Sequence, residues 1–382
     1  MVDFPYPVKV RSSYVFTANM VSILNALKRD FWVVSDNLPS STGPAEARIA
    51  RIGIAPHFLG DMKPTWLSIL VWGLKSALIQ TKICMSILAL RRKVDAVLFF
   101  MMYPYTEAAP MVLSKLLHKT VVKIPLGLAP RDAVYAPLVW HIFERVSLHF
   151  SDFYVPEYES TVEMLSKSDQ IRNPQKMLPA AHFFFLEGEF RKDMEIRSRD
   201  HVVGYFGGLR KIKGVENLAY AILRVLEVND SIKFIIAGEG VFKDQLKRIL
   251  RSCPADRVTL TDWIPHHELA KSLNSVRLVV IPSFSESGPF VGIEALACGT
   301  PVLSTKVGII QNLIQDGKSG FLLSSNAPEE IADRIVRIFE LSDAELQRVA
   351  DNGHQVVVDE FDFTATLEKW AKVLREIDAY KT

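Results

Sequence analysis

The second half of the chain alternates short apolar runs with amphipathic runs at a spacing of roughly 25 to 30 residues, which is the rhythm of βα units. The apolar runs are rich in Val and Ile without polar alternation, as is typical of parallel strands that helices cover on both faces. Strands are predicted at Val202–Phe206, Lys233–Ala237, Val258–Thr261, Leu278–Pro282 and Pro301–Ser304. Helices are predicted near Val215–Val228, Phe242–Arg251, His267–Asn274, Phe290–Ala297 and Ile309–Gln315. This half is therefore predicted to be a doubly wound α/β domain.

The first half is less regular, but it also has short apolar runs with helical stretches between them. These runs predict buried strands at Phe31–Ser35, Ala96–Met101, Val121–Ile124 and Phe153–Val155. A second Rossmann-like sheet explains them best. Its opening strand, Val2–Phe4, is cut short by Pro5 and Pro7, which leaves open a start further upstream or a ragged sheet edge.

A length of 382 residues predicts two domains, each large enough to bury a core. We expect an amino-terminal domain over 1–190 and a carboxy-terminal domain over 201–360. The charged run Glu187–Asp200 has few apolar residues and is predicted to be the interdomain linker. The final amphipathic stretch, Phe363–Ile377 within 361–382, is expected to pack back on the first domain.

The charge balance and the cysteines exclude several classes of protein. With 45 basic and 43 acidic side chains the net charge is +2, so the composition gives no reason to expect a nucleic-acid partner. Three scattered cysteines argue against a disulfide framework and against a thiolate metal site, and they favour a reducing compartment. The first residues lack the charged and apolar regions of a signal peptide, so we expect a cytoplasmic protein.

The apolar stretch Trp66–Leu90 raises the question of a membrane. Lys75 and Lys82 interrupt it, and each would cost about 2.5 to 3.5 kcal/mol at a bilayer centre, which disfavours a span. No acidic residue lies between Asp61 and Asp95, whereas the segment 63–93 carries these cations and interfacial aromatics: Lys63, Lys75, Lys82, Arg91, Arg92, Lys93, Trp66 and Trp72. One interpretation is a peripheral contact with the inner face of the cell membrane. The alternative is an amphipathic helix whose apolar stripe faces its own sheet.

Three segments follow predicted strands, at the position where open α/β sheets bind ligands. In the first, Gly207 and Gly208 allow close approach of a ligand, and Arg210 and Lys213 bring positive charge to the start of the next helix. This combination suits a diphosphate, and a basic surface turn is the alternative. The segment lacks the Gly-Lys-Ser/Thr of a P-loop and the acidic residue of a nicotinamide fingerprint.

The second segment carries an E-x7-E pair, Glu286 and Glu294, with small residues such as Gly288 between them. Two carboxylates in this arrangement can each accept a pair of hydroxyl hydrogens, one from a ribose and one from a hexose. The alternatives are a solvated loop carboxylate for Glu286 and a first-turn helix charge for Glu294. In the third segment, backbone amides of Val307–Ile310 are expected to face an anion, unless this is an ordinary βα loop.

The order of these motifs is more specific than any one of them. Gly207-Gly-Leu-x3-Lys-Gly214, the E-x7-E pair, Ala297-x-Gly-Thr-Pro-Val302 and Asp316-Gly-x2-Gly-Phe321 together resemble the donor half of glycosyltransferase family 4, also called glycosyl transferases group 1. The resemblance covers about 202–340 and is faint before it. It implies a GT-B fold: two Rossmann-like doubly wound parallel-sheet domains facing a cleft, with the nucleotide sugar bound mainly by the second domain.

The resemblance also implies a reaction, the retaining transfer of a hexose-type sugar from a nucleoside diphosphate sugar to a hydroxyl acceptor. Such an acceptor is expected to be lipid-linked or a glycan, and the reaction is expected to need no cofactor and no metal. Carried over, Glu294 would hold the ribose, Glu286 the transferred sugar and Lys213 the diphosphate. The catalytic set is therefore Glu286, Lys213 and Arg210, and the donor-binding set adds Gly207, Gly208, Gly288, Phe290 and Glu294. Helix ends near Val215 and Ile309 are expected to stabilise the leaving diphosphate.

The chain departs from the family pattern at three positions. Gly208 stands where the family usually has an arginine, so Arg210 is expected to substitute for it. Pro289 removes a backbone donor from the loop after Glu286. No histidine follows the strand Ala96–Met101, and either Tyr103 or Tyr105 supplies a hydroxyl there or both are packing aromatics. These departures leave open a catalytically silent sugar-nucleotide-binding subunit, and the fold also hosts epimerases and phosphorylases.

Overall fold

The computed structural model describes residues 2–3, 11–34, 48–50, 66–100, 104–124, 137–158, 162, 177–182, 188, 190–286 and 288–380. The chain divides into two compact units, one formed by Met1–Phe185 with Thr364–Thr382 and the other by Leu186–Phe363. Each unit contains a six-stranded sheet in which neighbouring strands pair in parallel. The predicted α/β class with two Rossmann-like parallel sheets is confirmed.

The first sheet has the strand order β3-β2-β1-β4-β5-β6. Its strands are β1 Val2–Asp3, β2 Trp32–Val34, β3 Arg48–Ala50, β4 Ala96–Phe100, β5 Thr120–Ile124 and β6 Phe153–Tyr154. The helices between them are α1 Arg11–Ala26, α2 Trp66–Leu90, α3 Pro104–Leu116 and α4 Pro137–Phe150. The short opening strand is central, because it pairs with both β2 and β4. The sequence analysis missed β3, whose three residues are too few to show a period.

The core of the first unit lies between its sheet and the helices α2 and α3. Ile79, Ile83 and Ile87 on one face of α2 are buried against Val97 and Phe99 of β4. The expectation that an apolar stripe of this segment faces its own sheet therefore holds for one face of the helix. The opposite face of α2 carries large apolar side chains that are exposed.

The second sheet has the order β12-β11-β10-β7-β8-β9. Its strands are β7 Val202–Phe206, β8 Lys233–Ala237, β9 Val258–Thr261, β10 Leu278–Ile281, β11 Val302–Thr305 and β12 Phe321–Leu323. The helices are α5 Val215–Val228, α6 Lys243–Ile249, α7 His266–Ser275, α8 Phe290–Ala297, α9 Ile310–Leu313, α10 Pro328–Phe339 and α11 Asp343–Phe361. The structure adds β12, α10 and α11 to the predicted elements, and α9 ends earlier than predicted because Ile314 is extended and leads into the Asp316–Gly320 turn before β12.

The segment 190–200, predicted to be part of a linker, is packed into the second unit. Ile196 is fully buried in its core. The Arg199 guanidinium donates to the carbonyl oxygens of Met194 and Cys298, both at 2.8 Å, and to the Thr300 hydroxyl. The sequence analysis counted apolar residues, and it therefore could not detect a segment that a buried arginine holds in place.

The last helix, α12 Phe363–Ala379, packs within the first unit. Trp370 is fully buried, and its Nε1 donates to the carbonyl oxygen of His182 at 2.8 Å. Asp378 forms an ion pair with Arg29 at 2.7 Å. The first unit is therefore built from two separate parts of the chain.

Candidate functional site

The site predicted from the sequence lies where the order of the second sheet reverses. Strands β7 and β10 are neighbours, and the chain leaves them to opposite sides of the sheet. The loops that follow their carboxyl ends, 207–214 and 282–289, meet at this switch point, where doubly wound sheets bind their ligands. All the predicted site residues lie on these two loops and on α8.

The two loops are packed backbone to backbone. Gly214 has a φ of 67°, and a Cβ placed on it would lie 2.0 Å from the carbonyl oxygen of Pro282. The amide of Phe284 donates to the carbonyl oxygen of Ile212 at 2.9 Å. A residue with a side chain at 214 would therefore push the loops apart, which explains the glycine that precedes α5.

Lys213 and Glu286 join the two loops through their side chains. Lys213 Nζ lies 2.6 Å from Oε1 and 2.5 Å from Oε2 of Glu286. The Ser283 hydroxyl donates to Oε1 of Glu286 at 2.9 Å. The Lys213 and Glu286 side chains are only 22% and 11% exposed, so Glu286 is not a solvated loop carboxylate. The structure thus brings together two of the three residues that the sequence predicts to be catalytic.

Glu294 lies in the second turn of α8 and is buried, with 5% of its surface exposed. Its Oε1 lies 3.2 Å from Nε2 of His266, the first residue of α7. The His266 ring packs edge-on against Phe190 with 5.0 Å between the ring centroids. The helix dipole acts mainly within the first turn, so it does not by itself account for a buried carboxylate at this position. The sequence analysis missed His266, since nothing in the local pattern marks it.

The glycine-rich loop after β7 is held by several hydrogen bonds, two of which involve its paired glycines. The amide of Gly207 donates to the carbonyl oxygen of Ala237 at 3.0 Å, so it is not a free donor for a ligand. The Tyr205 hydroxyl donates to the carbonyl oxygen of Gly208 at 2.9 Å. Burial raises the pKa of Tyr205, with a further contribution from the charge of Glu286, so the phenol stays protonated and keeps this bond.

The remaining predicted residues lie on the same two loops. Arg210 is exposed at the start of the short 3-10 turn Lys211–Lys213. Gly288 is buried, and its carbonyl oxygen accepts a hydrogen bond from the amide of Phe290 at 2.9 Å. Phe290 begins α8 and is half-buried.

The amino-terminal ends of α5 and α9 were both expected to stabilise an anion, and the two helices differ in length and in the hydrogen bonding of their first amides. Helix α5 has 14 residues and begins beside the glycine-rich loop, with Gly214 at its N-cap and no side-chain cap. Its first amides therefore face outward and favour an anion. Helix α9 has only four residues, and the amide of Val307 already donates to Thr305 at 2.8 Å. Of the expected anion site at Val307–Ile310, the Val307 amide is thus already occupied, and the site as a whole stays a prediction.

The first-domain positions that depart from the family pattern are not described in the same detail. Met102 and Tyr103 lie outside the described residues, and Tyr105 is described only as part of the backbone of α3. Within the described ranges, no three His, Cys, Asp or Glu side chains come together as metal ligands would.

Known proteins are similar in sequence to the second unit and similar in fold to the whole chain. The glycosyl transferases group 1 family matches residues 187–356. A D-inositol 3-phosphate glycosyltransferase from Segniliparus rotundus is 34% identical over 144 residues, 36% of this chain and 32% of that protein. The alpha-D-kanosaminyltransferase of Streptomyces kanamyceticus is 29% identical over 178 residues, 46% of each chain. The chain therefore spans about a third to a half of the length of these relatives.

Solved structures extend the likeness to both units. Sucrose-phosphate synthase from Thermosynechococcus elongatus superposes with a TM-score of 0.78 at 17% identity, over 99% of each chain. Anabaena HepE in complex with UDP superposes with a TM-score of 0.73 at 15% identity, over 98% of this chain and 99% of that one. At such identities the likeness concerns the fold. The sequence of the second unit therefore matches the glycosyl transferases group 1 family over residues 187–356, and both units have the fold of the solved GT-B glycosyltransferases.

Proposed function

We propose that this chain is a glycosyltransferase that moves a hexose-type sugar from a nucleoside diphosphate to a hydroxyl acceptor, with retention of anomeric configuration. The observation that carries the proposal is the Lys213–Glu286 pair beside the buried Glu294, at the carboxyl ends of β7 and β10. The names of the relatives support transfer of a sugar. The complexes of Anabaena HepE with UDP and UDP-glucose support a nucleoside diphosphate sugar as the donor.

Glu294 is assigned to the ribose. A buried carboxylate accepts strong hydrogen bonds from paired hydroxyls, because charge-assisted bonds are about twice as strong as neutral ones. His266 contacts one carboxylate oxygen at 3.2 Å and so orients the group toward the nucleotide. His266 is therefore a positioning residue rather than a catalytic one.

Lys213 and Glu286 are assigned to the diphosphate and to the transferred sugar. Without a donor, the ammonium and the carboxylate neutralise each other at 2.5 to 2.6 Å. When a donor binds, the diphosphate provides the ammonium with a new anionic partner, and the carboxylate can accept hydrogen bonds from the sugar hydroxyls. The pair thus keeps both groups in position, and neither charge is left uncompensated in the free protein.

The transition state carries its negative charge on the leaving diphosphate. As the bond between the anomeric carbon and the phosphate oxygen lengthens, an oxocarbenium-like centre forms. The acceptor oxygen bonds to this carbon from the face that the phosphate leaves, and its proton passes to the leaving diphosphate. Lys213, Arg210 and the outward-facing amides at the start of α5 are assigned to stabilise the diphosphate. Removing one such preorganised group typically lowers the rate by roughly 10² to 10³. No side-chain nucleophile is assigned.

A substitution experiment with matched controls tests the proposal. A thermal-shift screen with UDP, GDP and ADP and their sugars first identifies the donor, since a specific ligand raises the melting temperature by mass action. Lys213→Ala and Glu294→Ala are expected to lower transfer at least roughly a hundredfold. The controls Lys247→Ala and Glu227→Ala remove the same charges from exposed positions of the same unit, and they are expected to keep transfer near that of the unmodified protein. Normal turnover in both site variants would overturn the assignment.

A subunit that binds the sugar nucleotide without turnover is the second candidate, and Gly208 in place of the family arginine favours it. Donor binding with neither hydrolysis nor transfer would identify such a subunit. An epimerase or a phosphorylase would be recognised by product analysis with and without acceptor. Metal independence is tested in the same assay, where a chelator is expected to leave the rate unchanged.

The proposed acceptor is a hydroxyl on a lipid-linked molecule or a glycan, and the proposed location is the cytoplasm at the inner face of the cell membrane. Support comes from the acid-free segment 63–93 with its aromatic and basic side chains. Acceptor extracts separated into lipid and aqueous fractions test this part: transfer of labelled sugar only into the aqueous fraction would exclude a lipid-linked acceptor.

A further inference from the structure

Helix α2 of the first unit has two apolar faces, and only one of them belongs to the core. The buried face carries Ile79, Ile83 and Ile87, which are at most 3% exposed. The other face is exposed, and its large apolar side chains recur every three or four residues, apart from one place between Leu78 and Met85. Their exposed fractions are 54% for Leu67, 51% for Leu70, 58% for Leu74, 54% for Leu78, 64% for Met85 and 40% for Leu88. At 1.5 Å per residue this stripe runs for about 32 Å.

At the one interruption of this spacing stands Thr81, a polar residue whose hydroxyl is hydrogen-bonded within the helix. The Thr81 hydroxyl donates to the carbonyl oxygen of Ala77 at 2.8 Å. The hydroxyl of Ser86, also on α2, donates to Lys82 at 3.0 Å in the same way. These hydroxyls therefore do not require water, so covering the stripe with an apolar phase carries no penalty for an unpaired hydroxyl.

The charges around the exposed stripe have one sign. Lys75 and Lys82 lie along one flank of the stripe, and Arg91, Arg92 and Lys93 follow its carboxyl end. No acidic residue occurs from 62 to 94. A surface that is apolar at its centre and cationic at its edge complements an anionic lipid surface, where each nearby Lys or Arg adds attraction.

We propose that the exposed stripe of α2, from Leu67 to Leu88, is a membrane-docking surface that lies in the plane of an anionic bilayer. The leucines and Met85 would enter the boundary between headgroups and acyl chains, and the flanking cations would remain at the phosphates. This proposal rests on the membrane location given in the proposed function and names the surface that would make the contact; it does not depend on the donor site, so its failure would leave the proposed sugar transfer standing.

Two other arrangements of α2 agree less well with the structure. Leu70–Leu90 is long and apolar enough to cross a bilayer by length and composition. A span would, however, pull Ile79, Ile83 and Ile87 out of the core of the first unit and away from β4. A second copy of the chain docked on this face would bring together two stripes whose charges on α2 and directly after it are all positive, and like charges across an interface are unfavourable.

Sedimentation with vesicles tests the proposal on the full chain. The probes are vesicles of phosphatidylglycerol and phosphatidylcholine in equal amounts, with pure phosphatidylcholine vesicles for comparison. The protein is expected to bind the mixed vesicles more tightly, and binding should weaken as salt is added. The double variant Leu74→Glu, Leu78→Glu is expected to lose at least tenfold in affinity. The matched control Val228→Glu, Val241→Glu makes the same kind of change at exposed positions of the second unit, where each valine is 74% exposed, and it should bind like the unmodified protein.

The fold and the oligomeric state are checked on the same samples. Because Leu74 and Leu78 are more than half exposed, their variant should keep the melting temperature and the thermal shift with the nucleotide donor. Failure of the unmodified protein to bind mixed vesicles, or equal binding by the Leu74→Glu, Leu78→Glu variant, would overturn the docking surface and leave the donor site untouched. A dimer in light scattering that this variant dissociates would instead identify the stripe as an interface between copies.

Discussion

Replacing Gly214 by alanine should both destabilise the second unit and weaken donor binding, because this position carries a backbone constraint and a steric one. Gly214 has a φ of 67°, and an added Cβ would meet the Pro282 carbonyl oxygen at 2.0 Å. Gly317 has nearly the same conformation, with a φ of 72°, but an added Cβ would meet nothing within 4 Å. Gly317→Ala therefore serves as a control that shares the conformational penalty and lacks the clash.

The magnitude follows from what the clash must displace. A left-handed alanine costs about 1 to 2 kcal/mol, and this cost is common to both variants. In Gly214→Ala the Cβ contact must also open from 2.0 Å to at least 3.4 Å, which moves the 207–214 loop away from Pro282. This shift breaks the hydrogen bond from Phe284 to Ile212, worth about 1 kcal/mol, and stretches the Lys213–Glu286 pair, worth about 1 to 2 kcal/mol at its partial exposure. The additional loss is therefore about 2 to 3 kcal/mol.

Differential scanning calorimetry of the two variants measures this difference. For a domain of this size, 1 kcal/mol lowers the melting temperature by about 2 to 4 °C, so Gly214→Ala should melt about 4 to 12 °C below Gly317→Ala. Titration with the donor nucleotide should show weaker binding for Gly214→Ala and unchanged binding for Gly317→Ala. Equal melting temperatures would refute the claim that contact with Pro282, rather than the left-handed backbone, requires glycine here.

Three further predictions concern buried groups. Arg199→Met should destabilise the second unit by about 2 to 6 kcal/mol, because the carbonyl oxygens of Met194 and Cys298 each lose a donor at a cost of about 1 to 3 kcal/mol; a melting temperature within the error of the unmodified protein would contradict this. Trp370→Ala should lower the free energy of unfolding of the first unit by about 3 to 5 kcal/mol and leave donor binding unchanged. Loss of the thermal shift with the donor would count against the assignment of α12 to the first unit. Burial raises the pKa of Glu157 from 4.5 to about 8. The contribution of this protonated carboxyl to the free energy of unfolding is therefore complete below about pH 4.5 and is lost as the pH rises through about 8. The melting temperature of the first unit should therefore fall between about pH 5 and about pH 9, and Glu157→Gln should reduce that fall; equal slopes for both proteins would refute it.

The strands and helices of the second unit were predictable because burial leaves a periodic trace in the sequence. Val202–Phe206 and Lys233–Ala237 are strands as predicted, since helices cover both faces and nearly every residue must be apolar. The site was predictable in position for a related reason. Glycines and charges that directly follow such strands lie at the carboxyl edge of the sheet, whatever the details of packing.

The pairings within the site were not predictable in the same way. Lys213 and Glu286 are 73 residues apart and meet because β7 and β10 are neighbours, which only the strand order decides. His266 reaches Glu294 for a similar reason, through the packing of α7 beside α8. Periodicity reports whether a residue is buried, but it does not report which distant residue it meets.

By itself, the sequence determined the two-sheet architecture and the location of the ligand-binding edge, because apolar periodicity and strand-end glycines are local signals. Only the tertiary structure decided that the segment 190–200 is anchored by Arg199 and that α2 leaves a second apolar face uncovered. Each of these depends on long-range packing, and the free energy of such contacts is set by residues that lie far apart along the chain.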